Sequence, residues 1–511
     1  MAAPAPLRAT AAEGFGPRWA LFAQALAVGL LAALVYALAL QPSLYSVDPP
    51  KFLDMYTEAR WSASGSPHHH HVHYAVRWLL RAVSGDDYLA LEYASALPAA
   101  LAIALLFVFL RTRAFAGALS ASLVAGVVAG SSPVWFFSTA AEVHGVQLLL
   151  GVAALFTLER ATRARAWSAR LPWVALTAVL LLLGHPLHAL LLPFVALWCH
   201  LAWGRHGDAG MRRFVGTLVM GALLVGAALL RYVDVESRQG WSTNTLSAWA
   251  EHRRFAVAVG ALWDHLLRAN LLLWPLVVAF VAASARELGS RAARAAAVLA
   301  LFGPLALFVA YVGIFEFGGY FAALGAWAAG CFGGPFCRWL DGRAFRFPRG
   351  AAPLGFGGAL AASVVASGGL ELWRRENPAL VGDEAAAVEF AKSQLAPLDA
   401  VAVFEARLAD ALRRRSRRLT TPELAPLLLA MPAGTESHLL EGYLERHRQR
   451  FERGGALWVF RWAEDPADLD PRRAWLQERL WLQVEQCPEA REVRIGGLRV
   501  LGPARTVLGE L

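Results

Sequence analysis

The sequence predicts a polytopic α-helical membrane protein carrying a small α/β domain at its C-terminal end. Three observations carry that expectation. Hydrophobic residues make up 57% of the 511 positions, with 19 tryptophans and a mean hydropathy of +0.43. The interior of a soluble fold of this length is too small to take up so much apolar surface. The apolar residues fall in repeated runs of near-spanning length, which at about 1.5 Å rise per residue match a bilayer core. Finally, the arginines are distributed unevenly among the connections between those runs.

The first run, residues 19–40, follows Arg8 and Arg18. Ala37-Leu38-Ala39 resembles a cleavage site, but the apolar core exceeds the about 7 to 15 residues of a signal peptide. It reads as a retained first helix. Further spans are expected at 94–110, 114–130, 142–158, 171–184, 187–203, 214–230, 269–285, 295–313, 319–337 and 351–370, about 11 transmembrane helices in all. The stretch 171–203 is too long for one crossing, and Gly184-His185-Pro186 breaks it into a tight hairpin. With the N-terminus in the cytoplasm, the short inner loops 111–113, 159–170, 204–213, 286–294 and 338–349 hold 16 arginines. The outer connections 131–141, 184–186 and 314–318 hold none. That asymmetry sets the orientation.

Two outer loops are long, 41–93 and 231–268. Within the first, residues 72–83 predict an amphipathic helix with Val72, Val76, Leu79, Leu80 and Val83 apolar and Arg77 and Arg81 on another side. Such a helix belongs in the headgroup layer. From this pattern the chain divides into a membrane domain, 1–372, and a soluble extracytoplasmic domain, 373–511. In the latter, 399–404, 456–460 and 493–501 read as strands, and segments around 405–415 and 437–452 as helices. The Arg413–Arg418 cluster reads as a solvated helix face, with contact to anionic headgroups as the alternative.

The net charge of +9 comes almost wholly from arginine, with Lys51 and Lys392 the two lysines. Because most of the excess lies in short inter-span loops, it sets topology and implies no nucleic-acid partner. Cys199, Cys331, Cys337 and Cys487 are scattered without metal or disulfide spacing.

Several residues are placed for chemistry. Asp48, in Ser46-Val47-Asp48-Pro49-Pro50, follows the first span at the membrane surface, where a base acting on a lipid-carried substrate belongs. An Asp before Pro-Pro also forms turns. Asp54, Glu58 and the tract His68-His69-His70-His71-Val72-His73 follow it. Consecutive histidines rarely converge on one ion, so orienting substrate or phosphate is the better role for His68 and its neighbours, although imidazoles suit zinc or nickel. Ser131-Ser132-Pro133-Val134-Trp135 leads through Ala140-Ala141-Glu142-Val143-His144, placing Glu142 and His144 at the outer end of the fourth span. Glu142 either marks the water boundary or faces inward as a second carboxylate near Asp48. His185, at the hairpin tip, and Arg231, at the outer end of the seventh span, suit a phosphate, which a guanidinium fork grips in two places. Arg231 also fits an interfacial anchor. Glu316 and Tyr320 are weaker candidates.

The order of these features resembles the GT-C glycosyltransferases, in particular bacterial relatives of the protein O-mannosyltransferases. The resemblance covers about the first 200 residues: the Asp after helix one, the His/Pro segment, the amphipathic helix, the 132–144 stretch, and Leu-Gly-His at 183–185. It implies Asp48 as catalytic base. It aligns the family's Ala-Glu-x-Tyr-like stretch with Ala141-Glu142-Val143-His144, where His replaces the more usual Tyr, and Pro67-His68 matches the His-Pro-Pro-Gly-Tyr-Pro-like loop only loosely. The reading implies a polyprenyl-phosphate sugar donor, the lipid bilayer and a hydroxyl acceptor as partners, and inversion at the anomeric carbon. No nucleotide-phosphate loop or Rossmann pattern is present. No residue set demands a cofactor or a metal, and a divalent cation is compatible with the site. The expected location is a bacterial inner membrane. Two other classes remain open, a transporter or flippase of a lipid-linked saccharide and a non-catalytic assembly protein.

Overall fold

The computed structural model describes residues 18–40, 71–85, 87–114, 116–184, 318–342, 351–376, 382–396, 398–403, 451–463 and 471–505, with isolated positions between 212 and 278 and at 408, 411 and 412. Its elements run α1 (Arg18–Leu38), α2 (His71–Ser84), α3 (Asp87–Arg113), α4 (Ala118–Gly130), α5 (Ser132–Thr139), α6 (His144–Arg163), α7 (Trp167–Gly184), α8 (Gly318–Asp341), α9 (Ala351–Ala366), α10 (Gly369–Glu376) and α11 (Gly382–Gln394). Then come β1 (Ala400–Val403), β2 (Leu457–Trp462), α12 (Pro471–Glu485), β3 (Arg491–Ile495) and β4 (Leu498–Ala504).

Among the described residues four helices are long and apolar enough to cross a membrane: Trp19–Leu38, Leu89–Arg113, His144–Arg163 and Trp167–Gly184. A fifth span is formed if α4 and α5, bent by 64°, are taken as one broken crossing. The chain is therefore polytopic. The spans expected at 187–203 and 295–313 lie outside the described residues, as do about half of that at 214–230 and most of that at 269–285.

α3, α4 and α6 form the centre, with α1, α7 and α9 around them. α1 shows how a lipid-facing helix divides its surface. Val28, Ala32 and Tyr36 are buried against the bundle, while Trp19, Phe22, Leu26, Leu30 and Leu34 point outward in a separate stripe. Tyr36 donates its hydroxyl to the Ala129 carbonyl at 3.0 Å, satisfying a buried polar group. α4 and α9 approach through a small-residue face. A Cβ on Gly130 would lie 2.2 Å from the Leu360 oxygen, and Ser363 Oγ donates to the Val127 carbonyl at 2.7 Å. Small residues let membrane helices close to backbone contact and trade hydrogen bonds there.

Three sequence expectations need correction. The connection 131–141 is not a plain loop, since residues 132–139 form α5. Pro133 cannot continue α4, because it lacks an N–H, yet it fits the first turn of a new helix. The expected span 351–370 stops at Ala366, where Gly368 at φ +71 ends the helix before α10 begins. The single strand expected over 493–501 is a hairpin, β3 and β4, turned at Gly496-Gly497 with Gly496 at φ +59.

The C-terminal sheet has the order β1-β2-β4-β3, with β1 parallel to β2 and the remaining pairs antiparallel. Each face buries a core. Leu476, Leu480, Trp481 and Val484 of α12 pack on one side, and Ala387, Val388 and Ala391 of α11 on the other. Asp399 ties β1 to β2: its buried carboxylate accepts from the Ala396 and Ala456 amides and from the Trp458 indole. The described positions of the 405–415 segment, 408 and 411–412, are helical.

Candidate functional site

The site forms where the chain leaves α5, crosses residues 140–143 and enters α6. Ser95 of α3 holds this turn at 0% exposure. Its hydroxyl accepts from the Glu142 amide at 2.8 Å and donates to the Glu142 carbonyl. The same Glu142 amide also reaches the Ala140 carbonyl at 2.9 Å. The clamp thus positions Glu142 through its main chain, without using the carboxylate. Gly145 is required for this contact, because a Cβ there would sit 2.0 Å from the Ser95 oxygen. Glu142 itself is buried, at 6% exposure.

His144 opens α6. Its Nδ1 lies 2.6 Å from Gln147 Oε1, one helical turn on, and its ring meets Phe137 edge-on at 4.4 Å between centroids. α6 has no side-chain cap at Val143, so the positive end of its dipole faces the same turn.

α2 supplies the opposite wall, packed on α3. The helix predicted at 72–83 is present over His71–Ser84. His73 and Arg77, one turn apart, are each 1% exposed, whereas Trp78, Leu79 and Val83 are exposed. His73 and Arg77 face protein, while Trp78, Leu79 and Val83, together with Arg81, face outward. That is the arrangement for a helix with lipid outside and polar groups inside. Burial pushes the His73 imidazole down to about 3, and the nearby Arg77 and His144 push it the same way. His73 is therefore neutral at pH 7, and His144 lies within its electrostatic reach.

Of the six residues singled out from sequence, the structure brings Glu142 and His144 together at this turn. Asp48, His68, His185 and Arg231 lie outside the described residues, as do Glu316, Asp54 and Glu58. Among the described residues no group of three or more His, Cys, Asp or Glu side chains could hold a metal ion. Sequence reasoning missed Ser95 and Gln147, and it gave Arg77 no part in the site. The i, i+4 spacing of His73 and Arg77 was a readable sign of a shared face, whereas the Ser95 clamp joins positions 47 residues apart and leaves no local pattern.

His73, Arg77 and His144 thus lie within electrostatic reach of one another, with buried Glu142 two residues before His144. The arrangement can accept a proton, orient a hydroxyl and hold an anion.

A scan against protein-family models finds no match to this chain, and a search of curated proteins finds none either. Among solved structures, the chain is similar in fold to ArnT from Cupriavidus metallidurans, crystallised in the apo state. The match has a TM-score of 0.52 and 15% identity, and it covers 97% of this chain and 100% of that one. At this identity the likeness is one of fold.

Proposed function

We propose that the chain is an integral-membrane glycosyltransferase that moves a sugar from a polyprenyl-phosphate donor to a hydroxyl acceptor. The observation that carries this reading is the fold shared over its whole length with ArnT, a GT-C transferase. The buried Glu142–His144–Arg77–His73 cluster at one end of the bundle supports it.

In this reading the donor diffuses laterally to the outer leaflet and enters beside α2, whose Trp78, Leu79 and Val83 meet the lipid. Asp48 accepts the proton of the acceptor hydroxyl as the oxygen attacks the anomeric carbon. The bond from that carbon to the phosphate oxygen breaks, configuration inverts, and polyprenyl phosphate leaves. Arg231 and Arg77 offset the charge on the departing phosphate. Glu142 acts as the second carboxylate, orienting the acceptor, with His68, His144 and His185 hydrogen-bonding donor or acceptor. The protein resides in a bacterial inner membrane with its N-terminus in the cytoplasm and residues 373–511 outside. Kinship with the protein O-mannosyltransferases, the eleven-span count and the division at residue 372 belong to the same proposal.

The test is purified chain in lipid nanodiscs given a panel of polyprenyl-phosphate sugars and hydroxyl acceptors, with released polyprenyl phosphate measured. Wild type is expected to turn over at least one donor, and Asp48→Asn to lose about 100-fold or more of that rate. Undiminished transfer by Asp48→Asn removes it as the base. Failure of wild type with every donor, alongside movement of lipid-linked saccharide across the bilayer, assigns the chain to transport.

A further inference from the structure

The contact between His144 and Gln147 carries a consequence beyond the reading above, on which it rests. Gln147 is 2% exposed, deep in the first turn of α6. Its Oε1 is 2.6 Å from His144 Nδ1. Its amide nitrogen is buried and, among the described residues, has no hydrogen-bond partner. A buried donor left unpaired is destabilising, and an apolar side chain of similar length would relieve it. Packing alone therefore gives no reason for an amide here. The imidazole does give one.

An amide oxygen can only accept, so the 2.6 Å contact requires the proton on Nδ1. The lone pair of neutral His144 is then on Nε2. Phe137, edge-on to the ring, limits its rotation. Among the described residues, the charged and titratable groups on the neighbouring elements are His73 and Arg77 of α2, Glu142 two residues before and Glu92 of α3, which is buried one turn before Ser95. Removing the Gln147 oxygen takes the acceptor from the Nδ1 proton.

We propose that Gln147 is a positioning residue: its amide oxygen fixes His144 as the Nδ1–H tautomer, so that Nε2 presents a hydrogen-bond acceptor to a substrate hydroxyl. Gln147 touches no substrate. It acts through the ring, as groups that orient a histidine generally do.

The full-length protein in nanodiscs is compared as wild type, Gln147→Met and Gln147→Glu, using three readouts. The first is the 15N shifts of histidine-labelled protein, with the His144 signals identified by their loss in His144→Asn. Wild type is expected to show protonated Nδ1 and unprotonated Nε2, and Gln147→Met a mixture of tautomers. The second is the pH profile of transfer. Gln147→Met is expected to lose about 10- to 100-fold in kcat with KM within about threefold, and Gln147→Glu to move the acid limb up by about one unit, because a carboxylate favours imidazolium. The third is Tm, expected to stay level or rise in Gln147→Met. A lower Tm in Gln147→Met with the wild-type tautomer retained would reduce Gln147 to a packing role and overturn the proposal. If wild type transfers no sugar, the transferase reading fails while the 15N shifts and Tm still decide the role of Gln147.

Discussion

The two ends of α6 both bury ionisable side chains, and they hold them by opposite means. At the Arg163 end, Glu159 is 0% exposed and forms ion pairs with Arg163 and with Arg113 of α3, the latter at 3.7 Å. Nearby, Asp341 accepts from the Gly117 amide at the start of α4, and Arg170 lies over the Trp167 ring while donating to the Ala164 carbonyl. At the His144 end, the holding contacts run through neutral groups: a serine hydroxyl on the main chain of Glu142, and an amide on His144. An ion pair locks two helices together and consumes both charges. The Ser95 clamp places Glu142 through its main chain. On the proposed reading, the Arg163 end serves stability and the His144 end serves chemistry.

Substitutions at the two ends should therefore fail in different ways. The largest effect is expected from Gly145→Ala. The added methyl would meet the Ser95 carbonyl at 2.0 Å, and backbone cannot yield as a side chain can. Loss of folded yield, or of about 3 kcal/mol, is expected in thermal unfolding in detergent. Tolerance of alanine there would break the close approach on which the clamp depends.

Ser95→Ala comes next. It leaves the Glu142 amide with the Ala140 carbonyl but removes the partner of a buried main-chain carbonyl, costing about 1 to 3 kcal/mol. Transfer should fall more than stability does, which paired Tm and rate measurements would show.

His73 sharpens the contrast through pH. Its folded value of about 3 lies below the ordinary 6.5. Above pH 6.5 folded and unfolded chains both carry a neutral ring, and the group has no effect. As pH falls from 6.5 toward 3, the unfolded chain takes up a proton that the folded chain refuses. Stability then drops by about 1.4 kcal/mol per unit at the steepest. His73→Asn should flatten Tm against pH between about 6 and 4; an unchanged slope would place the acid sensitivity elsewhere.

The smallest effect is expected from Asp341→Asn. The side chain still accepts from the Gly117 amide, and only the charge at the N-terminus of α4 is lost, worth about 0.3 to 1 kcal/mol. A larger loss would mean that the charge of Asp341 also holds Arg111.

Much of this fold was legible in the sequence because apolar run length reports directly on spanning helices. The run at 94–110 lies inside α3, that at 142–158 overlaps α6, and the amphipathic segment 72–83 falls within α2. What periodicity cannot supply is which stripe of an amphipathic helix meets lipid and which meets protein, so the burial of Arg77 comes from the structure alone. Gly496-Gly497 is a readable turn signal inside the strand expected at 493–501. Glu142 and His144 stood out by charge at a helix end. Ser95, a small polar residue in an apolar helix, acquires its meaning only from a partner 47 positions away.

The most direct test of the division between the two ends is a matched pair of variants, Glu142→Gln and Glu159→Gln, each measured for Tm and for sugar transfer. Glu142→Gln should lose about 100-fold or more in rate and lose less in Tm than its counterpart. Glu159→Gln should lose about 2 to 3 kcal/mol, less than a fully buried pair because both guanidinium groups reach solvent, while its folded fraction transfers normally. The reverse pattern, a stable and inactive Glu159→Gln beside an unstable but active Glu142→Gln, would contradict the account.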